Sequence, residues 1–476
     1  MLKSIDGGLR AVPFPVEDPE RIPARRYFDQ GFYDLEREHL WPHVWQNACR
    51  LEQIPEVGDW IEYANLGHSV LVTRTAQGVK AYHNACRHRG VPIAGGSGQA
   101  HGNCARTGFV CPFHGWRWNM DGENTMVYGK HLFSERQMDE QDLRLRECRV
   151  ELFGGCAWIN LDDEAPGLRE SLGPVTERLE AHGIDHLRAE WHFATVLPAN
   201  WKTAMEAFME GYHVMQTHPQ LHHTLQDIYH DAYSPERTTP GATEANLRKG
   251  AIEGVATRTA IAAQLEHLQL LSSGMAGMCH QKEVDIAREL RDVDLPDNPN
   301  EAVPLWFAMV QGRISQQLRA RGEPVPDLNA VAVSHPIRPV EFLFPHYFLL
   351  PMFSSMSAYR IRPLGPESCY FELWSLTMFP KGQEPEPVME PTVLPYDSPE
   401  FPQIPRQDYS NIPIQQKALH AKGFEFMRLA RGIEGLISNY QRLIDGYLAG
   451  MPQARLASAN QVLGGNFDGP IADIGF

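Results

Sequence analysis

The sequence has no long uninterrupted apolar run, few cysteines for its length and less base than acid, and each shortage removes a class of function. Its most apolar stretch, Phe342 to Phe353, is interrupted by Pro345, His346 and Pro351, so no membrane span is expected. Met1 to Arg10 lacks an apolar core ahead of a small-residue cleavage site, and no secretion signal is expected either. Eight cysteines in 476 residues do not follow the spacing of a small secreted disulfide scaffold, which points to a reducing, cytoplasmic setting. Forty-three basic against 59 acidic side chains give a net charge of −16, which argues against nucleic acid or an anionic membrane as a standing partner. No internal repeat is visible, so solenoids and propellers are unsupported.

What is present divides along the chain. Gly58 to Ala85 alternates apolar and polar side chains in short runs such as Ser69-Val70-Leu71-Val72-Thr73, with Gly67 and Gly78 as breaks. Strand-like runs return at Phe109-Val110 and at Arg149 to Asn160, which predicts a small antiparallel β domain over residues 40–165. Helical spacing then takes over at Trp201 to His213, Ile252 to Leu271 and Leu305 to Ala320. Glu341 to Phe353, Ser357 to Pro363 and Cys369 to Phe379 read as strands of a second antiparallel sheet. Lys381 to Arg406, crowded with Pro and Glu, predicts an extended connector, and Ile414 to Leu448 predicts one or two closing helices.

Two motifs carry chemistry. Cys86-Arg87-His88 and Cys111-Pro112-Phe113-His114 offer two thiolates and two imidazoles from two loops, each followed closely by glycine. Thiolates suit one iron of a [2Fe-2S] cluster and neutral imidazoles the other. A Cys2His2 zinc site uses the same donors. Here Cys and His alternate along the chain, and Pro112, Gly115 and Trp116 match the second cluster loop of Rieske proteins, which favours the cluster. The spacer with Gly95-Gly96-Ser97-Gly98, His101 and Cys104 is expected to be a flexible insertion without ligands.

The second motif runs from Asn200-Trp201-Lys202 through Glu206 and Glu210 to Gly211-Tyr212-His213 and Thr217-His218-Pro219. His213 and His218 are candidate iron ligands, but five residues of ideal helix would leave them about 140° apart around the axis. Pro219 disfavours helical geometry at His218, so an irregularity is expected there that lets both rings converge. A two-histidine, one-carboxylate iron(II) site needs a third ligand from elsewhere. Asp408, in Arg406-Gln407-Asp408-Tyr409, is the choice, just before the last helical region begins; Asp227, with His222, His223 and His230, competes by proximity.

The two motifs, in this order, resemble the catalytic α subunit of Rieske non-heme iron oxygenases, the aromatic-ring-hydroxylating family. The resemblance implies an α+β chain: a small all-β Rieske [2Fe-2S] domain (40–165) and a helix-grip, START-like catalytic domain with antiparallel sheet and helices (166–476), with residues 1–39 packing on the latter. It implies one [2Fe-2S] cluster and one Fe(II) per chain, O2 as cosubstrate, and electrons from a ferredoxin and/or an NAD(P)H-dependent reductase. Dihydroxylation, hydroxylation or demethylation of an organic small molecule is the implied chemistry. A head-to-tail homotrimer, with or without a small β subunit, is the implied assembly. An acid three positions before the first iron histidine bridges the two metal sites in such proteins, and Glu210 occupies that position on the expected helix face of His213. Many relatives carry Asp there, and many carry Asn where this chain has Ala207.

Met205, Phe208 and Met209, with the Met- and Leu-rich stretch Leu268 to Met278, hint at an aromatic or apolar substrate, although such residues are commonly plain core. The long middle region, 226–340, carries no recognised pattern and is a candidate substrate cap. A Rieske electron carrier without oxygenase activity is the main rival, and it leaves His213 and His218 without a task. A zinc-binding structural protein is the other.

Overall fold

The computed structural model describes residues 8–95, 100–221, 255–275 and 277–476. They form two compact units, Trp41–Leu168 and a larger one combining the N-terminal segment through Leu40 with Arg169–Phe476.

The smaller unit is built on a seven-stranded antiparallel sheet in the order Gln46–Arg50, Cys156–Asn160, Glu147–Phe153, Gly78–His83, His68–Thr75, Asp59–Asn65 and His101–Asn103. Side-chain alternation gives this sheet two buried faces. Leu71 joins Trp60, Tyr82, Trp116 and Trp118 on one side, while Val70 and Val72 join Tyr63, Ile54 and Ile159 on the other. Asn65 pairs with His68 across a two-residue turn in which Leu66 and Gly67 have φ of 51° and 86°. That is the doubly left-handed turn a twisted hairpin requires, and it explains the glycine. A second sheet, Phe109–Val110, Arg117–Trp118 and Asn124–Met126, carries the second cysteine loop. The spacer expected to be a loop ends in structure: His101–Asn103 pairs with Asp59–Ile61 as an edge strand.

The larger unit has a six-stranded sheet in the order Glu341–Leu343, Tyr347–Pro351, Met356–Gly365, Ser368–Thr377, Arg188–Leu197 and Thr392–Val393. All its pairings are antiparallel except the last, so the Pro- and Glu-rich connector contributes a short parallel edge strand. Aromatic side chains fasten the chain around Phe208 to the sheet: its ring lies 4.7 Å from that of Phe348 and 5.2 Å from that of Tyr359.

Two expected helices have different bounds. The closing helical region begins at Gln403, runs to Ala418, and resumes only at Gly435–Ala449; between them lie Gly423 (φ 92°) and the strand Phe426–Arg428, which pairs with Arg21–Pro23. Asp408 therefore lies inside a helix rather than ahead of one. The helix expected over Trp201 to His213 is capped by the Asn200 side chain, which accepts from Lys202 N at 2.9 Å, and ends at Glu206. In the middle region, helices Thr257–Met275, Gln281–Arg288, Pro299–Ala320 and Leu328–Ser334 pack on one another.

Candidate metal centres and active site

The two cysteine loops of the smaller unit close in the same way. Cys86 N donates to Val91 O at 2.8 Å and Gly90 N to Cys86 O at 2.9 Å; Cys111 N donates to Trp116 O at 2.8 Å and Gly115 N to Cys111 O at 3.0 Å. Each loop turns through a left-handed glycine, Gly90 (φ 78°) and Gly115 (φ 69°), which is why glycine follows each ligand pair. Cys86 and Cys111 are buried, and their thiols interact with each other. His88 and His114 lie further out, with Nδ1 atoms 3.2 Å apart and rings crossing at 66°. His88 also stacks on Trp116, 4.8 Å between centroids. Burial, with the charges of His114 and Arg89, keeps the His88 ring below its ordinary proton affinity, which favours the neutral ligand form.

Two buried thiols beneath two converging imidazoles fit an unsymmetrical cluster, sulfur for one iron and nitrogen for the other. Cys104 is part of the hydrophobic core, where burial pushes its thiol up to about 11.

In the larger unit, the chain between Glu206 and His218 is not one helix. His213 and His218 flank a single helical turn, Val214–Thr217, and His218 leaves helical geometry (φ −121°, ψ 57°) before Pro219. The rings come to 5.3 Å between centroids at 75°. Asp408, from the helix Gln403–Ala418, completes the group: its Oδ1 is 3.1 Å from His218 Nε2 and 3.7 Å from His213 Nε2. One ligand atom from each of the three residues lies within 4.8 Å of the others, a fit for a single metal ion held by two imidazoles and a carboxylate. Asp227, His222, His223 and His230 lie outside the described residues.

Each histidine is oriented from behind. Glu210 Oε1 lies 2.7 Å from His213 Nδ1, and Glu210 Oε2 accepts from His213 N at 2.9 Å. Because the helix has ended, a turn and not a helical face brings Glu210 to His213. Burial opposes a charge on His213, but the hydrogen bond and charge of Glu210, with the charge of Asp408, raise its pKa to about 8. His218 Nδ1 meets Gln407 Oε1 at 2.9 Å, and Gln407 is itself fixed by reciprocal amide bonds with Gln220 of 2.8 and 3.0 Å. Both contacts direct Nε2 toward the common point.

Sequence reasoning passes over Gln407, although it stands beside Asp408 in the quoted motif. It also passes over Asp468. That residue adopts φ 48° and accepts from Gly211 N at 2.8 Å, pinning the turn between Glu210 and His213 from 257 residues away.

The three residues open onto a cavity of about 370 Å³. Its walls include Leu271, Met275, Met278, Phe307, Phe353 and Ile404, so the middle helices supply one side of it. Phe208 lines the cavity; Met205, inside the helix Trp201–Glu206, and Met209, beyond its end, both expected there, are fully buried in the core and do not line it.

Residues 44–129 match the Rieske [2Fe-2S] domain family, and residues 177–290 match the ring hydroxylating alpha subunit catalytic domain. The first span contains all four cluster candidates and the second contains Glu210, His213 and His218. The chain thus carries one segment of each of the two domain families of Rieske oxygenase α subunits. It is similar to the carnitine monooxygenase oxygenase subunit of Escherichia coli (strain K12), 28% identical over 208 residues, 43% of this chain and 54% of the relative. The glycine betaine monooxygenase oxygenase subunit of Chromohalobacter salexigens is 30% identical over 235 residues, 48% and 50% of the two chains. This chain thus spans about half the length of the curated relatives it matches. Naphthalene 1,2-dioxygenase from Rhodococcus sp., solved with indole bound, shares the fold with a TM-score of 0.58 at 16% identity, over 92% of this chain and 96% of that one. Asp408 lies beyond both matched spans, so its place beside His213 and His218 rests on geometry alone. No helix among the described residues is long and apolar enough to cross a membrane.

Proposed function

We propose that this chain is the terminal oxygenase of a multicomponent system, inserting oxygen from O2 into an organic substrate with electrons delivered through its Rieske domain by a ferredoxin or an NAD(P)H-dependent reductase. The observation that carries the reading is the meeting of His213, His218 and Asp408 at the floor of a largely apolar 370 Å³ cavity. An electron carrier has no use for such a cavity.

In this reading Cys86, Cys111, His88 and His114 hold the [2Fe-2S] cluster, and His213, His218 and Asp408 hold Fe(II). The mononuclear iron supplies O2 activation when bound, with open coordination positions left by a three-residue ligand set. The protein's own part is positional. His213 Nδ1–H donates to Glu210 and His218 Nδ1–H donates to Gln407, so both rings present an unprotonated Nε2. Asp468 holds Gly211 and with it the turn on which Glu210 and His213 stand. The apolar walls exclude water and orient the substrate. Glu210 would also be the acid that bridges a histidine of a neighbouring chain's cluster site to His213, in an assembly of three chains.

The relatives' names divide between quaternary ammonium compounds and aromatics, so they do not choose the substrate. The reading is tested by oxygen uptake with a surrogate reductase across a substrate panel, with product mass recorded. Substrate-dependent uptake with one or two added oxygens, or a lost methyl, supports it. Reduction and reoxidation of the cluster without substrate-dependent uptake for any compound returns the chain to a carrier.

A further inference from the structure

The cavity above the iron candidates is not electrically uniform. Glu210, Asp408 and Asp468 line it, and the chain as a whole carries −16. Against this background Arg338 is the one Lys or Arg among the described lining residues. It is exposed, between Ile337 and Pro339.

The local ion pairing leaves its guanidinium available. The nearby carboxylate, Glu341, is fully buried and taken by Arg178: Arg178 Nε donates to Glu341 Oε1 at 2.9 Å and Nη2 reaches Oε2 at 2.5 Å. Arg338 gives Glu341 its backbone N–H, at 2.8 Å, and the weaker pull of its charge, while its guanidinium makes no hydrogen bond or ion pair with that carboxylate. Its guanidinium has no hydrogen-bonded or ion-paired acceptor among the described residues, and neither does the side-chain amide of Gln311 on the same cavity. A planar guanidinium fork without an acceptor, on the wall of an apolar cavity, matches a carboxylate in two-point geometry. Three carboxylates elsewhere on the lining would repel that group, so a single binding orientation follows.

We propose that the cavity accepts an apolar molecule bearing a carboxylate, and that Arg338 is the specificity-determining residue that binds it. This deepens the oxygenase reading and rests on the cavity being the substrate site.

The test is equilibrium binding to the full-length holoprotein by calorimetry, without reductase, using 2-naphthoate and its uncharged amide. The expected result is a preference for the carboxylate of about tenfold or more, the scale of a charged hydrogen bond. That preference should shrink at high salt, vanish in Arg338→Gln with amide affinity unchanged, and return in part in Arg338→Lys. Phe307→Trp, which fills the cavity, should weaken both compounds. No preference in the native protein, binding of neither compound, or a preference that survives in Arg338→Gln would overturn the proposal. Because binding is read without turnover, Arg338-dependent binding together with a failed oxygen-uptake panel counts against the oxygenase reading and leaves the anion site standing.

Discussion

Glu210 grips His213 at two points, its ring nitrogen at 2.7 Å and its backbone nitrogen at 2.9 Å, so the turn of that ring toward Asp408 is set by a carboxylate three residues earlier. The first grip fixes the tautomer and the second fixes the turn.

Glu210→Gln keeps the size and one acceptor but loses the charge. The expected outcome is retention of both metals with substrate-coupled turnover reduced by about tenfold to a hundredfold, the usual scale for such supporting ligands. Parallel iron analysis and product-to-oxygen ratios check it. Full coupled activity in this variant would remove the bridging role.

The same contact makes metal loading depend on pH. In the metal-free protein burial disfavours charge on His213, yet Glu210 and Asp408 prevail and raise its pKa to about 8. The protonated ring cannot ligate, so metal affinity should fall as pH drops below that value, by about tenfold per unit. Titration of the iron-stripped mononuclear site with Co(II) between pH 6.5 and 8.5 follows the effect, and Glu210→Gln should move the break downward. A flat profile would mean that His213 is not a ligand.

A buried acid behind the iron segment controls a different pH dependence. Glu206 accepts from Tyr27 at 2.9 Å and from Gln441, yet burial outweighs these bonds and the charges of Lys202 and Arg26, raising its pKa to about 7. A carboxyl whose folded pKa exceeds its unfolded value binds more protons when folded. Its contribution is therefore complete below the ordinary carboxylate range and declines as pH rises through 7. Glu206→Gln should flatten thermal stability between pH 5 and 8, removing a slope of up to about 3 kcal/mol. An unchanged slope would place the pH dependence elsewhere.

The Rieske assignment has a visible signature. Cys86→Ser and His114→Ala should each abolish the cluster's absorption, since each removes one of the four candidate ligands that the two loops bring together. Survival of the spectrum in either variant would redirect the ligand search.

How much of this was legible in the sequence depended on distance along the chain. The cluster quartet is readable because each ligand pair and its turn glycine sit within five residues, and the same backbone closure recurs in both loops. Pro219 signals the departure from helix at His218 for an equally local reason. Gln407 and Asp468 act across 189 and 257 residues, where no spacing rule applies. The early end of the helix at Glu206 is also hidden, since Ala207, Phe208 and Met209 are all compatible with helix. What ends it is the packing of Phe208 on the sheet and the hold of Asp468 on Gly211. That Arg338 has no acceptor among the described residues follows from Arg178 taking Glu341, a pairing 163 residues long that sequence does not announce.

The central claim is that one chain holds two separate iron sites, with Asp408 as the carboxylate of the second. Iron content of Asp408→Ala, measured beside the cluster's absorption, addresses it most directly. The account predicts an intact cluster spectrum with the mononuclear iron lost. An unchanged iron content with the same spectrum would contradict it.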